Sequence, residues 1–332
     1  MRDEQRQHRD DHAPGAGEHP SAPNPAAERH SAGDRCGDGH GGCDATGRVA
    51  SYTAASRASP VEAQLATNEG RPIAGTRTSQ SDDVRERAIS AFDAEYPAVR
   101  FAPVVAVIAA LDEEGALGTV LSEIPDRACG LDVDALVVDD GSTDATSEVA
   151  RAGGAYVARL ERNLGHGVAL RVGYQLAREH GAQYIVTLDG DGQWNPTELP
   201  KVLEPVVAGE ADFALGSRVL GATETDDALR HAGVHFFAAL VRLLTRSQIT
   251  DTSSGFRAMR VEVTQTVRQV QVQYQTSELL IGALAHGYRV VERPITMRKR
   301  MAGTSKKGHN LLYGFRYARV VLTTWARERR AR

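Results

Sequence analysis

Two aspartates separated by one glycine give the sharpest chemical signal in the sequence. Asp189 and Asp191 flank Gly190, so a tight turn can bring both carboxylates to one cation. Carboxylate oxygens suit Mg²⁺ or Mn²⁺, and such an ion keeps part of its coordination shell for water and substrate phosphates. Gln193 can add a carbonyl oxygen. The pattern predicts a metal site for a diphosphate, and a solvated acidic turn stays open as the alternative.

Two further acidic runs follow apolar stretches of the chain. Residues 112 to 114 follow the apolar run 104–109, and residues 139 to 144 follow a second such run. If these runs are strands of a parallel sheet, their carboxyl ends and the end before Asp189 meet at one edge, where ligands bind. The carboxylates gathered there would repel one another, so a cation or hydrogen-bond donors must stabilise them. Asp139 either accepts hydrogen bonds from a base or ribose, or belongs to an acidic helix cap.

A short glycine pattern precedes another predicted helix. Asn163 is followed by Gly165 and Gly167, and glycine lets backbone N–H groups approach a ligand closely. A Gly-x-Gly pattern is weak evidence, and taken alone it favours a tight turn. It is not the dinucleotide fingerprint, because no third glycine follows three residues on.

The elements that must position these residues follow from alternating apolar runs and helical patterns. Continuous apolar runs are typical of buried parallel strands. The helical patterns between them begin or end at Ser, Thr, Asp, Pro or Gly. This alternation predicts an α/β fold with a mostly parallel sheet flanked by helices. The predicted strands cover residues 104–109, 134–138, 155–160, 184–188 and 213–216.

Composition limits the partners and the cellular compartment that we expect for this protein. The chain has 332 residues, a formal net charge of -4 and three cysteines. The charge gives no argument for nucleic acid as a partner. The cysteines are too few for a disulfide framework, so we expect a reducing, cytoplasmic setting. The sequence shows neither a signal-peptide pattern nor an uninterrupted run of about 18 apolar residues, so no transmembrane helix is expected.

Both ends of the chain differ from the middle. Before Val49, the only Leu, Ile, Val, Met or aromatic residue is Met1, and we predict a disordered tail over residues 1–97. Residues 308–332 predict a basic amphipathic helix, and residues 236–244 offer a second apolar face. The helix either lies peripherally on a bilayer or packs on the folded domain. Its apolar stripe consists of Leu311, Phe315, Ala318, Leu322 and Trp325.

Several motifs occur in the order and spacing of a known family. Asp-Asp-Gly-Ser-Thr-Asp at 139–144, Arg-Asn-Leu-Gly-His-Gly at 162–167 and Asp-Gly-Asp-Gly-Gln at 189–193 resemble inverting family 2 glycosyltransferases. Similarity to the polyprenyl-phosphate sugar synthases, typified by dolichyl-phosphate mannose synthase, comes from Gly-Ser-Arg at 216–218, Asp-Thr-Ser-Ser-Gly-Phe-Arg at 251–257 and Arg-Met-Ala-Gly-Thr-Ser-Lys at 300–306. The resemblance extends over roughly residues 104–312.

The resemblance implies a GT-A fold over residues 98–307, a nucleotide-diphosphate sugar donor, a polyprenyl-phosphate acceptor, Mg²⁺ or Mn²⁺, and a single inverting displacement. It implies that Arg218 meets the acceptor phosphate and that Arg300 and Lys306 close over the diphosphate. The implied metal ligands are Asp189, Asp191 and Gln193, with Asp191 also a catalytic candidate. With the patterns above, the predicted nucleotide-sugar contacts are Asp112, Glu113, Asp139, Asp140, Asn163, Gly165, Gly167, Asp189 and Ser217. The family frequently has His where this chain has Trp194.

The acceptor decides whether a catalytic base is required. A phosphate monoester needs none, since its second pKa is about 6 and it is largely ionised at pH 7. A sugar or small-molecule hydroxyl would need one, and Asp251 and Glu278 are the available candidates. A nucleotidyltransferase and a non-catalytic nucleotide-binding module are alternatives from other classes. The former would need a glycine-rich, arginine-containing loop where residues 112–114 are acidic.

Overall fold

The computed structural model of the chain describes residues 80–224, 228–300 and 311–330, and a single mixed sheet organises them. The strands are β1 (Val104–Ala110), β2 (Arg127–Ala128), β3 (Leu131–Asp139), β4 (Tyr156–Arg159), β5 (Tyr184–Asp189), β6 (Phe213–Thr223), β7 (Arg257–Arg260) and β8 (Val290–Met297). The order across the sheet is β2-β3-β1-β5-β7-β6-β8, and β4 also pairs with β3.

Helices flank this sheet, as the sequence predicts. They are α1 (Gln80–Glu95), α2 (Glu114–Ser122), α3 (Thr146–Ala152), α4 (His166–Glu179), α5 (Leu199–Val207), α6 (Ala228–Thr245), α7 (Val261–Thr266), α8 (Gln275–Ala285) and α9 (Leu311–Arg330). A 3₁₀ turn, Pro196–Glu198, leads into α5, and Asn195 caps that turn by accepting the Thr197 N–H.

The three acidic runs meet at one edge of the sheet, as predicted. β1 pairs in parallel with β3 on one side and with β5 on the other. Ala110 lies opposite Asp139 in the first pair, and Ala109 lies opposite Asp189 in the second. The carboxyl ends of the three strands are therefore adjacent, which confirms the α/β arrangement expected at this edge.

A short strand that the sequence pattern does not predict interrupts the parallel part of the sheet. β7 lies between β5 and β6 and is antiparallel to both. Because it runs against β5, its first residue lies beside the end of β5, and the preceding segment 251–256 enters the acidic edge. The approach is close, since a Cβ built on Gly255 would lie 2.8 Å from the Asp189 carboxylate.

Apolar side chains cover both faces of the sheet. On β1, Val105 and Val107 belong to one core cluster, and Val104, Ala106 and Ile108 belong to the other. This division follows from the alternation of side chains along a strand. α1 and α4 contribute to the first cluster, and α2 and α5 to the second. Burial on both faces explains why β1 is apolar at every position.

The prediction of a disordered tail to residue 97 is wrong over its last part. α1 is helical, and Val84, Ala88 and Phe92 are buried in the first core cluster. These residues are four apart, so they share one side of the helix. The Phe92 ring lies 5.7 Å from the His180 ring, between their centroids. Burying side chains such as Val and Phe stabilises by roughly 1.5–3 kcal/mol each, which offsets the ordering cost of a helix. Residues 1–79 lie outside the described residues.

A third apolar cluster joins α6, α8 and α9. Tyr317 and Val321 are buried in it, and the Trp325 indole donates to a carbonyl near the end of α6 at 2.9 Å. α9 therefore packs on the domain, which was one of the two predicted alternatives. Phe315 and Leu322 of the predicted stripe are nevertheless exposed. No helix in the described part of the chain is long and apolar enough to cross a bilayer.

Candidate active site

Asp189 ends β5 and is contacted from three directions. Its Oδ2 accepts the indole N–H of Trp194 at 3.0 Å, and the Nε2 atom of His166 lies 3.8 Å from its Oδ1. Gly255 packs directly behind the carboxylate. The side chain is 27% exposed, so the carboxylate is fixed in place while part of it still faces the site.

Asp191 lies on the turn after β5 and is nearly buried, at 7% exposure. Its Oδ1 accepts the backbone N–H of Gln193 at 3.0 Å, and its Oδ2 lies 2.7 Å from Nη2 of Arg300. The other Arg300 nitrogen, Nη1, lies 3.8 Å from the carboxylate of Glu113. Arg300 thus connects the end of β5 to the loop after β1. Its contact with the diphosphate stays a prediction.

The donor atoms at the end of β5 fit a divalent cation that also binds a diphosphate. Within the described ranges, no three His, Cys, Asp or Glu side chains form a complete metal site. Mg²⁺ and Mn²⁺ at phosphate sites commonly take one or two carboxylates and fill the remaining positions with water and substrate oxygens. Asp189 and Asp191 supply those two carboxylates, and the mostly buried Gln193 follows them. These residues would suit an ion whose remaining ligands come from water and substrate.

The loops after β1 and β3 are interlocked by reciprocal hydrogen bonds. Oδ1 of Asp112 accepts the Thr143 N–H at 2.8 Å, and the Asp112 N–H donates to the Ser142 hydroxyl at 2.9 Å. One residue further, the Glu113 N–H donates to the Thr146 hydroxyl at 2.8 Å. The predicted nucleotide contacts Asp112 and Glu113 are therefore held at the edge by the second acidic run.

Asp139 and Asp140 take structural partners, which counts against their predicted contacts to the nucleotide. Asp139 is fully buried, and its carboxylate accepts the Ser142 N–H at 2.7 Å and the Ser147 hydroxyl. Asp140 accepts the N–H groups of Leu164 and Gly165 at 2.7 and 2.8 Å. Burial raises the pKa of Asp140 to about 6. These carboxylates stabilise the loops that follow β3 and β4. This agrees with the alternative interpretation of Asp139 as part of an acidic helix cap.

The glycine pattern serves packing rather than the predicted approach to a ligand. The Gly165 N–H donates to Asp140, and the Gly167 N–H donates to the Val272 carbonyl at 3.0 Å. A Cβ on Gly165 would collide with the Val272 side chain, and one on Gly167 would collide with the Gln271 carbonyl oxygen. Both glycines are therefore required by the close approach of segment 271–272. The remaining predicted contact of this pattern, Asn163, is exposed.

Arg218 lies in the middle of β6, and Asp251 holds its side chain. Its Nε and Nη2 atoms donate to the two Asp251 oxygens at 2.8 and 3.0 Å, and Nη2 also donates to the Ser253 hydroxyl at 2.5 Å. The guanidinium lies 5.7 Å from the ring centroid of Trp194. Nη1 faces the sulfur of Met297, a weak acceptor, at 3.4 Å. The cation is thus fixed beside the ring that also contacts Asp189.

Two predicted site residues are buried and bonded to other parts of the protein. A third lies outside the described residues. Ser217 is buried, with its hydroxyl 2.8 Å from that of Thr250, which counts against a nucleotide contact. Glu278 is buried too, and its oxygens accept bonds from Arg327 at 2.9 Å and from the backbone N–H groups of residues 270 and 271. Glu278 ties α9 to α8, as a structural residue does. Lys306 lies outside the described residues.

A buried arginine shapes the segment 251–256. Arg257 is 1% exposed and donates to the carbonyls of Ser254, at 2.7 Å, and Thr276. Burial lowers the pKa of Arg257 to about 10. The segment also bonds across to β5, where the Thr187 hydroxyl donates to the Gly255 carbonyl at 2.6 Å. These bonds hold the loop against Asp189.

Sequence reasoning missed two residues that contact the Asp189 carboxylate. Trp194 was noted only as a departure from the family pattern, and His166 only as part of a motif. His166 lies within one motif and Trp194 directly follows another, and these positions were the only hint in the sequence. The spacing along the chain does not reveal that both side chains point toward Asp189.

Comparison with known proteins agrees with this geometry. The family model described as "Glycosyl transferase family 2" matches residues 105–268. A dolichyl-phosphate hexose transferase from Haloferax volcanii is 35% identical over 206 residues, covering 62% of this chain and 87% of the relative. A polyprenol monophosphomannose synthase from Mycolicibacterium smegmatis is 35% identical over 189 residues, covering 53% of this chain and 71% of the relative.

Solved structures show the same fold at lower sequence identity. Glucosyl-3-phosphoglycerate synthase from Mycobacterium tuberculosis, in complex with Mn²⁺, uridine diphosphate and glucosyl-3-phosphoglycerate, aligns with a TM-score of 0.52 and 20% identity. The alignment covers 76% of this chain and 86% of that one. The fold is thus GT-A-like, and together with the sequence relatives the comparison leads to one conclusion: this chain belongs to glycosyltransferase family 2.

Proposed function

We propose that this glycosyltransferase moves a hexose from a nucleotide-diphosphate sugar to a polyprenyl phosphate, in a metal-assisted single displacement. An oxygen of the acceptor phosphate forms a bond to the anomeric carbon. The bond from that carbon to the donor diphosphate breaks, and the nucleoside diphosphate leaves with the electron pair. One displacement inverts the anomeric centre, so an α-linked donor gives a β-linked product.

The observation that carries the choice of acceptor is the state of the two candidate bases. Asp251 and Glu278 are both buried, and each carboxylate accepts bonds from an arginine and from backbone N–H groups. In Asp251 the donors on the carboxylate are Arg218 and the Ser253 N–H. A hydroxyl acceptor requires a base in reach of its proton. A phosphate acceptor is already largely ionised at neutral pH and requires none. The arrangement therefore supports a phosphate acceptor.

The leaving-group side is supported by the end of β5. Asp189 and Asp191, with Gln193, are the residues we propose to hold Mg²⁺ or Mn²⁺. When bound, the cation supplies positive charge to the departing diphosphate. Arg300, 2.7 Å from Asp191, adds a second positive charge at the same place. Asp112 and Glu113, on the adjacent loop, are the proposed contacts to the nucleoside.

The names of relatives support the same assignment. The Haloferax volcanii protein is named dolichyl-phosphate hexose transferase, and the Mycolicibacterium smegmatis protein is named polyprenol monophosphomannose synthase. A further relative, from Micrococcus luteus, is named undecaprenyl-phosphate mannosyltransferase and is 29% identical over 221 residues. The Mn²⁺ and uridine diphosphate in the structural neighbour support a divalent cation and a nucleotide donor.

The outer surface of α6 and α9 supports peripheral contact with a membrane. Phe236 and Leu243 on α6 and Phe315 and Leu322 on α9 are exposed large apolar side chains. Exposed arginines interleave with them at positions 242, 246, 316 and 319. α6 contains no acidic residue, and the Glu of α9, Glu328, is buried. Apolar side chains among cations suit an interface with anionic lipid.

The assignment is tested by offering radiolabelled nucleotide hexoses with a polyprenyl phosphate and, separately, with the corresponding polyprenol. We expect label to enter the organic phase with the phosphate and not with the alcohol, in a reaction that requires Mn²⁺ or Mg²⁺. Transfer to the polyprenol at a similar rate, or no transfer to the phosphate with any donor, would overturn the proposed acceptor.

A matched pair of variants tests the metal. Asp191→Asn removes a charge from the proposed site, whereas Asp126→Asn removes a charge from a residue before β2. We expect roughly a hundredfold loss of transfer for the first and none for the second. Equal activity in the two variants would refute the metal site.

A further inference from the structure

Trp194 connects two groups that act on opposite sides of the proposed reaction. Its indole N–H donates to Oδ2 of Asp189 at 3.0 Å, and its ring lies 5.7 Å from the Arg218 guanidinium carbon. Asp189 belongs to the leaving-group side, and Arg218 is the cation predicted at the acceptor phosphate. A single side chain, 3% exposed, thus contacts both.

The backbone around Trp194 is fixed by β8. Trp194 forms an antiparallel bridge with Met297, and the Arg298 N–H donates to the Gln193 carbonyl at 2.7 Å. The sulfur of Met297 in turn contacts Arg218. The backbone of Trp194 is therefore fixed to the end of β8, and its buried ring packs beside Arg218.

The indole bond has a direct consequence for the carboxylate. An ionised carboxylate accepts at two oxygens with about four lone-pair sites, and a hydrogen bond at one oxygen fixes the rotation of the group. With Oδ2 held by Trp194, Oδ1 is presented in a fixed direction. Partners that orient a metal ligand in this way typically contribute about 10- to 100-fold to metal affinity.

We infer that Trp194 is a positioning residue that orients Asp189 toward the divalent cation and holds Arg218 at a fixed distance from it. The inference rests on the proposed function for the identity of the ion. It adds a residue that neither the metal ligands nor the substrate-binding motifs include. The ring and the N–H contact different groups: the ring packs against the Arg218 guanidinium, and the N–H donates to the Asp189 carboxylate.

Substitutions of the two tryptophans separate this role from general packing. Trp194→Phe keeps an aromatic ring and removes the N–H, and Trp194→His keeps a ring N–H. The matched control is Trp325→Phe, which removes an equivalent indole bond of 2.9 Å to a backbone carbonyl remote from β5. The readout is the Mn²⁺ dissociation constant of the full chain with uridine diphosphate present, from the free-ion electron paramagnetic resonance signal.

We expect Trp194→Phe to raise the Mn²⁺ dissociation constant about tenfold or more, while Trp194→His retains much of the affinity and Trp325→Phe leaves it unchanged. An unchanged constant in Trp194→Phe would overturn the inference. The variants could show this order of Mn²⁺ affinities while the wild type transfers no hexose to polyprenyl phosphate. That result would refute the proposed acceptor and would leave the role of Trp194 intact. A wild-type chain that binds no Mn²⁺ with uridine diphosphate present would refute the metal site and with it the role of Trp194.

A second measurement needs no change at Trp194. The sequence contains two tryptophans, so Trp194 is the remaining one in the Trp325→Phe variant. If Asp189 helps to hold paramagnetic Mn²⁺, binding of the ion should quench the emission of Trp194, and excess Mg²⁺ should restore it. Emission that does not respond to saturating Mn²⁺ would overturn the inference, even if Trp194→Phe failed to fold.

Discussion

Asp251 holds Arg218 through two parallel bonds, Nε to Oδ2 at 2.8 Å and Nη2 to Oδ1 at 3.0 Å, with both side chains almost completely buried. A two-bond arginine–carboxylate pair fixes the plane of the guanidinium as well as its position. The carboxylate that sequence reasoning offered as a base is thus the group that orients the proposed acceptor-site cation.

Asp251→Asn should therefore lower stability and acceptor binding together. Breaking a buried ion pair on one side costs about 3–5 kcal/mol, because the partner charge stays buried. Urea unfolding measures the stability, and the KM for polyprenyl phosphate measures the loss of orientation at Arg218. Asp132→Asn is the control, since Asp132 pairs with Arg127 on the surface and such pairs contribute at most about 1 kcal/mol. Equal unfolding free energies in the two variants would contradict the prediction.

Glu278→Gln distinguishes a structural carboxylate from a base. Glu278 is buried against Arg327, so we expect the variant to lose about 3 kcal/mol of unfolding free energy. Turnover of the folded variant should stay close to that of the wild type, whereas removal of a base costs about 100-fold or more. Arg327→Met, which breaks the same pair from the other side, should destabilise in the same direction. A large loss of turnover with unchanged stability would identify Glu278 as the base after all.

Gly167→Ala tests the packing explanation of the glycine pattern. The new Cβ would meet the Gln271 carbonyl oxygen, and overpacking of this kind costs about 1–3 kcal/mol. Gly233→Ala in α6 is the matched control, because a Cβ there meets no described atom within 4 Å. That substitution should stabilise by about 0.5–1 kcal/mol, since alanine restricts the unfolded chain more than glycine does. Thermal unfolding of the two variants should therefore shift in opposite directions.

The raised pKa of Asp140 predicts a pH dependence of stability. Burial raises the pKa of this carboxyl from 3.8 to about 6, so between these values the folded chain binds the extra proton. Stability therefore falls as pH rises from about 4 to about 6, by up to roughly 3 kcal/mol from this group. The measurement is the difference in unfolding free energy between wild type and Asp140→Asn at several pH values. A difference that grows in favour of the wild type with rising pH would contradict the sign.

The exposed surface of α6 and α9 should bind vesicles that contain anionic lipid. Phe315 is 73% exposed, and burial of a side chain of this size contributes roughly 1.5–3 kcal/mol, so Phe315→Ser should weaken binding about tenfold or more. Val270→Ser removes an exposed apolar side chain outside these helices and should have no effect. Sedimentation with phosphatidylglycerol vesicles measures the binding, which should weaken at high salt because arginines contribute. Equal binding to uncharged vesicles would exclude the electrostatic part.

Much of the acidic edge of the sheet could be predicted from the sequence, because the signals are local. Continuous apolar runs identify β1, β3 and β5, and the acidic residues that follow each run must then lie at the carboxyl ends of parallel strands. The register bears this out, with Ala110 opposite Asp139 and Ala109 opposite Asp189. Asp189 and Asp191 directly follow the apolar run of β5 and are separated by one residue. The sequence therefore placed both predicted metal ligands at this edge.

The sequence by itself determined the strand ends and the residue types gathered there, because strand periodicity and turn glycines act over a few neighbouring residues. The tertiary structure alone decided which carboxylates are exposed to the site, since their partners are distant in the chain. Asp140 accepts from a backbone group 24 residues away, and Glu278 pairs with an arginine 49 residues away. The antiparallel insertion of β7, which brings Gly255 to Asp189, is likewise a consequence of long-range pairing that no local pattern encodes.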